Sequence, residues 1–173
     1  MPLKPAASTP KAAAPATPSA KQDEKPEDTS NVAQTPTDEE EALIPKHGVF
    51  SFADGATYTG EYRTLQGKVV RHGHGVYHNG PERYDGAWEQ DQMHGHGVYQ
   101  FATGAVYDGE FQHNVFHGQG RYQWSDGACY EGHWRHGRMH DDAGRYVDRD
   151  GVDWKGRFFN GKYDNGRIFH TLR

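Results

Sequence analysis

The sequence predicts an all-β protein: about five repeated β-hairpin units forming one elongated, twisted antiparallel sheet, behind a disordered N-terminal tail. Three observations predict it. The phrase Tyr-x-Gly-x-aromatic recurs, with leading residues 26, 23, 23 and 24 positions apart. Runs of period-two alternation surround each copy, and no stretch after residue 46 sustains a 3.6-residue period. A turn sequence such as Asp-Gly or Asn-Gly sits between the two runs of each copy, where positive φ is needed.

The chain divides by composition. Eight of the nine prolines fall in residues 1–45, while most glycines and aromatic residues come later. Residues 1–45 read as a tail, Pro/Ala-rich and then acidic, that buries no core. A short helix is conceivable over 37–43, with Thr37 and Glu40 as a capping box. Lys4, Lys11 and Lys21 between the prolines suit contact with an acidic polymer such as a microtubule surface; a solvating linker explains them more simply. Residues 46–173 form the predicted sheet domain.

The copies run in order: Tyr58-Gly60-Tyr62, Tyr84-Gly86-Trp88, Tyr107-Gly109-Phe111, Tyr130-Gly132-Trp134 and Trp154-Gly156-Phe158. Each is preceded by a run opened by Gly48, Gly75, Gly97, Gly120 or Gly144. Side chains alternate across a strand. The rings therefore share one face, and residues such as Asp108, Glu110, Glu131 and Lys155 share the other. The central glycines Gly60, Gly86, Gly109, Gly132 and Gly156 leave gaps into which a ring from a neighbouring strand lies. Tyr122 and Trp124 belong to the ring face of their own strand. Met93-His94-Gly95, Phe116-His117-Gly118 and Met139-His140-Asp141 recur at 23-residue intervals. Their apolar residue is expected at the sheet edge, and the glycine after His is expected to reverse the chain. Gly166-Arg167-Ile168-Phe169 reads as a capping strand.

This pattern, carried most fully by Tyr84–Phe101 and Tyr107–Trp124, resembles the MORN repeat. The resemblance covers Gly48 to about Gly166. It implies a non-enzymatic scaffold in cilia, flagella or other cytoskeletal structures, and, from the family's name, contact with membranes. Two departures stand out. The first link, RTLQGKVVRHGHG, is about four residues longer than the others. The fifth copy has Asp142-Ala143-Gly144 in place of GxG, and Asp148 where three of the other copies place an aromatic.

The chemistry points the same way. No nucleophile elbow, phosphate-binding loop or repeated acid pair is present, so no catalysis and no cofactor are expected. Cys129, the single cysteine, excludes an internal disulfide and a Cys-based zinc site, and a reducing, intracellular setting fits it. His72-x-His74 and His94-x-His96 invite a metal. Their place beside glycines in recurring links explains them as turn residues, and no metal is expected. No apolar run reaches the roughly 20 residues that span a bilayer, and no apolar leader opens the chain. The net charge of −5 argues against nucleic acid. Residues 135–173 nevertheless hold nine basic and six acidic side chains. Arg135, Arg138, Arg145, Arg149, Lys155, Arg157 and Lys162 are thus the contact set for an anionic membrane surface.

The ring face is the principal candidate site: Tyr58, Tyr62, Tyr84, Trp88, Tyr107, Phe111, Tyr122, Trp124, Tyr130, Trp134, Trp154 and Phe158. A single flat layer cannot bury so many rings. The sheet must coil on itself, pair with a second copy, or take up a partner such as an axonemal or cytoskeletal helix in its groove. A sugar or small-ligand cleft is a weaker reading, since the rings follow the structural period.

Overall fold

A computed structural model describes residues 44–164. The helix over 37–43 and the capping strand at Gly166–Phe169 lie outside the described residues. The domain is one antiparallel sheet of twelve strands. These are β1 (Lys46–Ser51), β2 (Thr57–Leu65), β3 (Lys68–Asn79), β4 (Glu82–Glu89), β5 (Gln92–Gln100), β6 (Val106–Gln112), β7 (Val115–Gln123), β8 (Cys129–Arg135), β9 (Arg138–Met139), β10 (Asp141–Val147), β11 (Asp153–Phe159) and β12 (Lys162–Asp164). Spatial order follows chain order from β1 to β8, then β10, β11 and β12; the short β9 also pairs with β8.

Register explains why glycine and tyrosine recur. Pairing places Gly48, Gly60, Gly75, Gly86, Gly97, Gly109, Gly120 and Gly132 in one row across the sheet, and Gly144 opposite Gly156. Two residues away runs an aromatic row: Phe50, Tyr58, Tyr77, Tyr84, Tyr99, Tyr107, Tyr122, Tyr130, Tyr146 and Trp154. Each leading tyrosine lies along its strand over the glycine row. A Cβ on Gly120 would stand 2.4 Å from the Tyr107 hydroxyl, and one on Gly97 2.6 Å from Tyr84. The glycines are thus the floor on which the rings lie, but Gly60, Gly86, Gly109 and Gly132 are met by the tyrosine of their own strand, where a ring from a neighbouring strand is expected; only Gly156 meets one, Tyr163.

The hydroxyl at the end of each ring returns to its own strand. Tyr58, Tyr84, Tyr107 and Tyr130 donate to the backbone carbonyls of Glu61, Ala87, Glu110 and His133 at 2.6, 2.8, 2.9 and 3.1 Å. Burial pushes all four phenols well above the ordinary tyrosine range, so they remain donors. Tyr107→Phe keeps the ring and removes the donor, leaving the Glu110 carbonyl short of a partner. We expect a loss of about 1–2 kcal/mol in urea unfolding.

The links between units differ from expectation. The chain reverses at two-residue turns directly after each phrase strand, at Gln66-Gly67, Gln90-Asp91, His113-Asn114, His136-Gly137 and Asn160-Gly161. Both residues of each turn belong to tight hairpins with positive φ at the first position. Met93, Phe116 and Met139 are not at the edge: they sit in the core, opposite Trp88, Phe111 and Trp134. The glycine after His does not turn the chain. Gly95 and Gly118, at φ 61° and 55°, lie within strands at register shifts against β4 and β6. They form bulges that absorb extra residues. Asp142 and Ala143, which replace the GxG, lie in β10 at a register shift against β11, and the break between β9 and β10 falls just before them at His140.

Candidate partner-binding face

The ring face is built from the phrase strands β2, β4, β6, β8 and β11 and their return strands. In β6 and β8 the burial alternates residue by residue, with Tyr107, Gly109 and Phe111, and Tyr130, Gly132 and Trp134, all inward. The rings close on one another edge-to-face in a continuous zigzag. Tyr58 meets Trp88 at 5.5 Å, Trp88 meets Tyr84 at 5.1 Å, and Tyr84 meets Phe111 at 5.1 Å. Phe111 meets Tyr107 at 5.1 Å, Tyr107 meets Trp134 at 5.5 Å, Trp134 meets Tyr130 at 5.2 Å, and Tyr130 meets Phe158 at 4.9 Å. The perpendicular planes suit the ring quadrupoles.

That packing closes nine of the twelve rings of the candidate face. Tyr58, Tyr84, Tyr107 and Tyr130 are 0 % exposed, and Trp88, Phe111, Tyr122, Trp134 and Phe158 are buried with them. They are core, and a partner does not reach them without unfolding the sheet. Tyr62, Trp124 and Trp154 of the predicted set stay partly exposed, joined by Phe50, Phe52, Tyr146 and Tyr163. The accessible part of the face therefore lies at the two ends of the sheet and along the rim.

One buried side chain escapes notice in the sequence. Arg71 is 1 % exposed, in the place that Met93, Phe116 and Met139 occupy in other units. Its guanidinium lies 4.3 Å from the Trp88 ring and 5.8–5.9 Å from Phe52, Tyr58 and Tyr77. Its Nε donates to Asp91 Oδ1 at 3.0 Å and its Nη2 to the Asp91 carbonyl at 3.2 Å. Burial pulls the guanidinium down from its ordinary value, and Asp91 opposes that shift by hydrogen bond and charge. The signal was present: Arg71-His72-Gly73 aligns with Met93-His94-Gly95.

The opposite face is charged. His47, His74, His96 and His133 each face a carboxylate, of Glu61, Asp85, Asp108 and Asp141, at 3.3–3.4 Å. These histidines lie on strands and pair with acids; the turn position expected for the glycine-flanking His74 and His96 is corrected. Among the described residues no group of three or more His, Cys, Asp or Glu is placed to hold a metal ion. The Asp141 carboxyl sits below its ordinary 3.8. Burial acts to raise it, but the amides of Ala143 and His133 and the His133 imidazole outweigh burial. The folded form thus binds fewer protons than the unfolded one in acid. Its contribution is complete above about pH 4 and is lost as pH falls through the lower folded value. In urea unfolding, the stability gap between wild type and Asp141→Asn should narrow from pH 7 to pH 3.

The seven basic residues are exposed along β8–β12 and the turn holding Arg149. Several are paired: Arg145 and Lys155 with Asp153 at 3.1 and 3.6 Å, Arg157 with Asp142 at 3.4 Å, and Arg149 with Asp150 at 3.9 Å. Arg138 donates to Asn160 Oδ1 at 2.6 Å. Arg135 and Lys162 make no ion pair among the described residues.

The MORN repeat family model matches residues 47–57, 70–80, 84–106, 107–129 and 130–140. This is a MORN-repeat protein. MORN repeats are non-enzymatic motifs that bind proteins or membranes. The two full matches show where a MORN unit begins and ends: a phrase strand, a tight turn and a return strand, as in β4–β5 and β6–β7. Residues 58–69, which hold the start of the long first link, and everything from 141 onward fall outside the MORN matches. No curated protein matches the chain.

Proposed function

We propose that this MORN-repeat protein is a non-enzymatic scaffold or adaptor. Its ring face binds a protein partner, a helix or a second copy, within a ciliary, flagellar or other cytoskeletal assembly inside the cell. The observation that carries the reading is the uneven covering of that face. Its centre is sealed by its own rings, while Phe52, Tyr62, Trp124, Tyr146, Trp154 and Tyr163 remain partly open at the rim. Partly open aromatic side chains on a rigid frame are what interface anchors are made of. We read GAVYDGEFQHNVFHGQGRYQWSDGACYEGHW as resembling MORN repeat-containing protein 2, and the cytoskeletal setting is taken from the resemblance to the MORN family as a whole.

Capture from an extract of ciliated cells tests it, comparing the full chain with Trp124→Ala/Trp154→Ala. Axonemal or cytoskeletal proteins should be retained by the wild type and lost by the double variant. Equal capture by both would sink the ring-face reading. Capture of no such protein would sink the cytoskeletal one.

The clustering of exposed basic residues at one end supports a second reading, a peripheral tether to anionic phospholipids. The local acids that pair with Arg145, Arg149, Lys155 and Arg157 weaken it. Flotation with anionic vesicles that disappears in Arg135→Gln/Lys162→Gln would favour the tether over the scaffold.

A further inference from the structure

We propose that the end of the ring face around Trp124, Tyr146 and Trp154 is a site for an arginine side chain presented by the protein partner. The inference rests on the partner-binding reading above and adds the chemistry of the contact.

The chain already contains one solved example of the problem. Arg71 is held by the Trp88 ring face, by three further rings at longer range, and by the Asp91 carboxylate. Ring faces supply the negative quadrupole, and the carboxylate supplies the counter-charge and the hydrogen-bond acceptor. The same parts recur at the other end of the sheet. Trp124 and Tyr146 stand 5.7 Å apart with planes at 80°. Beside them the Trp154 indole donates to Asp148 Oδ2 at 3.3 Å. Asp126 and Asp148 both bear electrostatically on Tyr146. The three rings are only partly buried, and Asp126 is exposed.

Asp148 is the informative residue. It stands where three earlier units place Phe52, Phe101 and Trp124 and the second unit places Asn79, so here an acid takes a place that most units give to a ring. Its Oδ1 accepts the amides of Asp150 and Val152, each at 2.9 Å, which fixes the carboxylate in place. Its Oδ2 is left facing the indole, with room in its lone pairs for a second donor. Arg149, the neighbour in sequence, is exposed and directed to Asp150 at 3.9 Å. Two carboxylates beside perpendicular rings attract a planar cation and offer nothing to an anion.

The test uses the full chain with nitrogen-15-labelled tryptophan, whose four indole signals separate the two ends of the question. The probe is acetyl-arginine amide, and its neutral isostere acetyl-citrulline amide is the control. Arginine should move the Trp124 and Trp154 signals with a roughly millimolar midpoint, and leave the buried Trp88 and Trp134 signals in place. Citrulline should move none, and Asp148→Asn, which keeps the two amide bonds, should weaken the arginine response at least about five-fold. Equal responses to both probes, or an unchanged response in Asp148→Asn, overturn the proposal. Should Asp148→Asn disturb the Trp88 and Trp134 signals, Asp126→Asn and the citrulline comparison decide. Partner capture that is lost in Trp124→Ala but untouched by Asp148→Asn would remove the arginine site and leave the partner face standing.

Discussion

Asp91→Asn is expected to lower the unfolding free energy by about 3 kcal/mol, because it removes the carboxylate facing a buried guanidinium. The double variant Arg71→Met/Asp91→Asn should recover the wild-type value or exceed it. The next unit shows that this exchange fits: Met93 stands where Arg71 does, and Asn114 where Asp91 does. Asn114 Oδ1 accepts the Met93 amide at 2.8 Å, as Asp91 Oδ1 accepts the Arg71 amide at 2.9 Å. The backbone anchor therefore survives the change of pair, and only the buried charges are exchanged for an apolar contact. Asp91 itself sits at φ 65°, a conformation Asn tolerates. Arg71→Met alone should cost little, since Asp91 is partly exposed and rehydrates. Equilibrium urea unfolding of the three variants checks this. An Asp91→Asn cost under about 1 kcal/mol would show that the charges are not coupled.

Gly109→Ala should be as damaging, at about 3 kcal/mol or more. Its added methyl would stand 2.4 Å from the Gly120 Cα and 2.6 Å from the Gln119 carbonyl oxygen. Both atoms are backbone held in the ladder, so nothing yields without opening the β6–β7 pair. Gly127→Ala is the control. That turn glycine has φ 92° and nothing within 4 Å of an added Cβ, so only conformational strain of about 1 kcal/mol remains. Thermal unfolding of both should order them clearly. A Gly109 variant no worse than the Gly127 one would remove the close-packed glycine row from the account of stability.

The sheet, its repeat length and the division of its faces were legible because period-two alternation and recurring Tyr-x-Gly-x-aromatic phrases are local signals. The turns were less so. Gln90-Asp91 and His113-Asn114 contain no glycine, so the Gly after each His took the role that these pairs perform. The fate of the rings was legible only as a choice, since ring-on-ring closure depends on register across strands. Trp88 meets Tyr58 from 30 residues away. Arg71 hid for a different reason. An arginine in a link reads as a surface charge, and its burial follows from Asp91 and Trp88, which the sequence does not place beside it. Asp148, by contrast, was visible as a departure from the repeat, and the structure sets it beside the rings left partly open.

Each strand of β2–β8 pairs with the strands before and after it in the chain, every strand from β1 to β8 carries one glycine of the row, and the repeat unit is two strands. The molecule is therefore measured in units, like a ruler. Excision of residues 84–106, one matched unit, would bring Gly75 opposite Gly109 and leave every remaining pairing in step. Length along the sheet is thus adjustable without redesigning the ends, and the distance between Arg71 at one end and Asp148 at the other is set by the number of units between them.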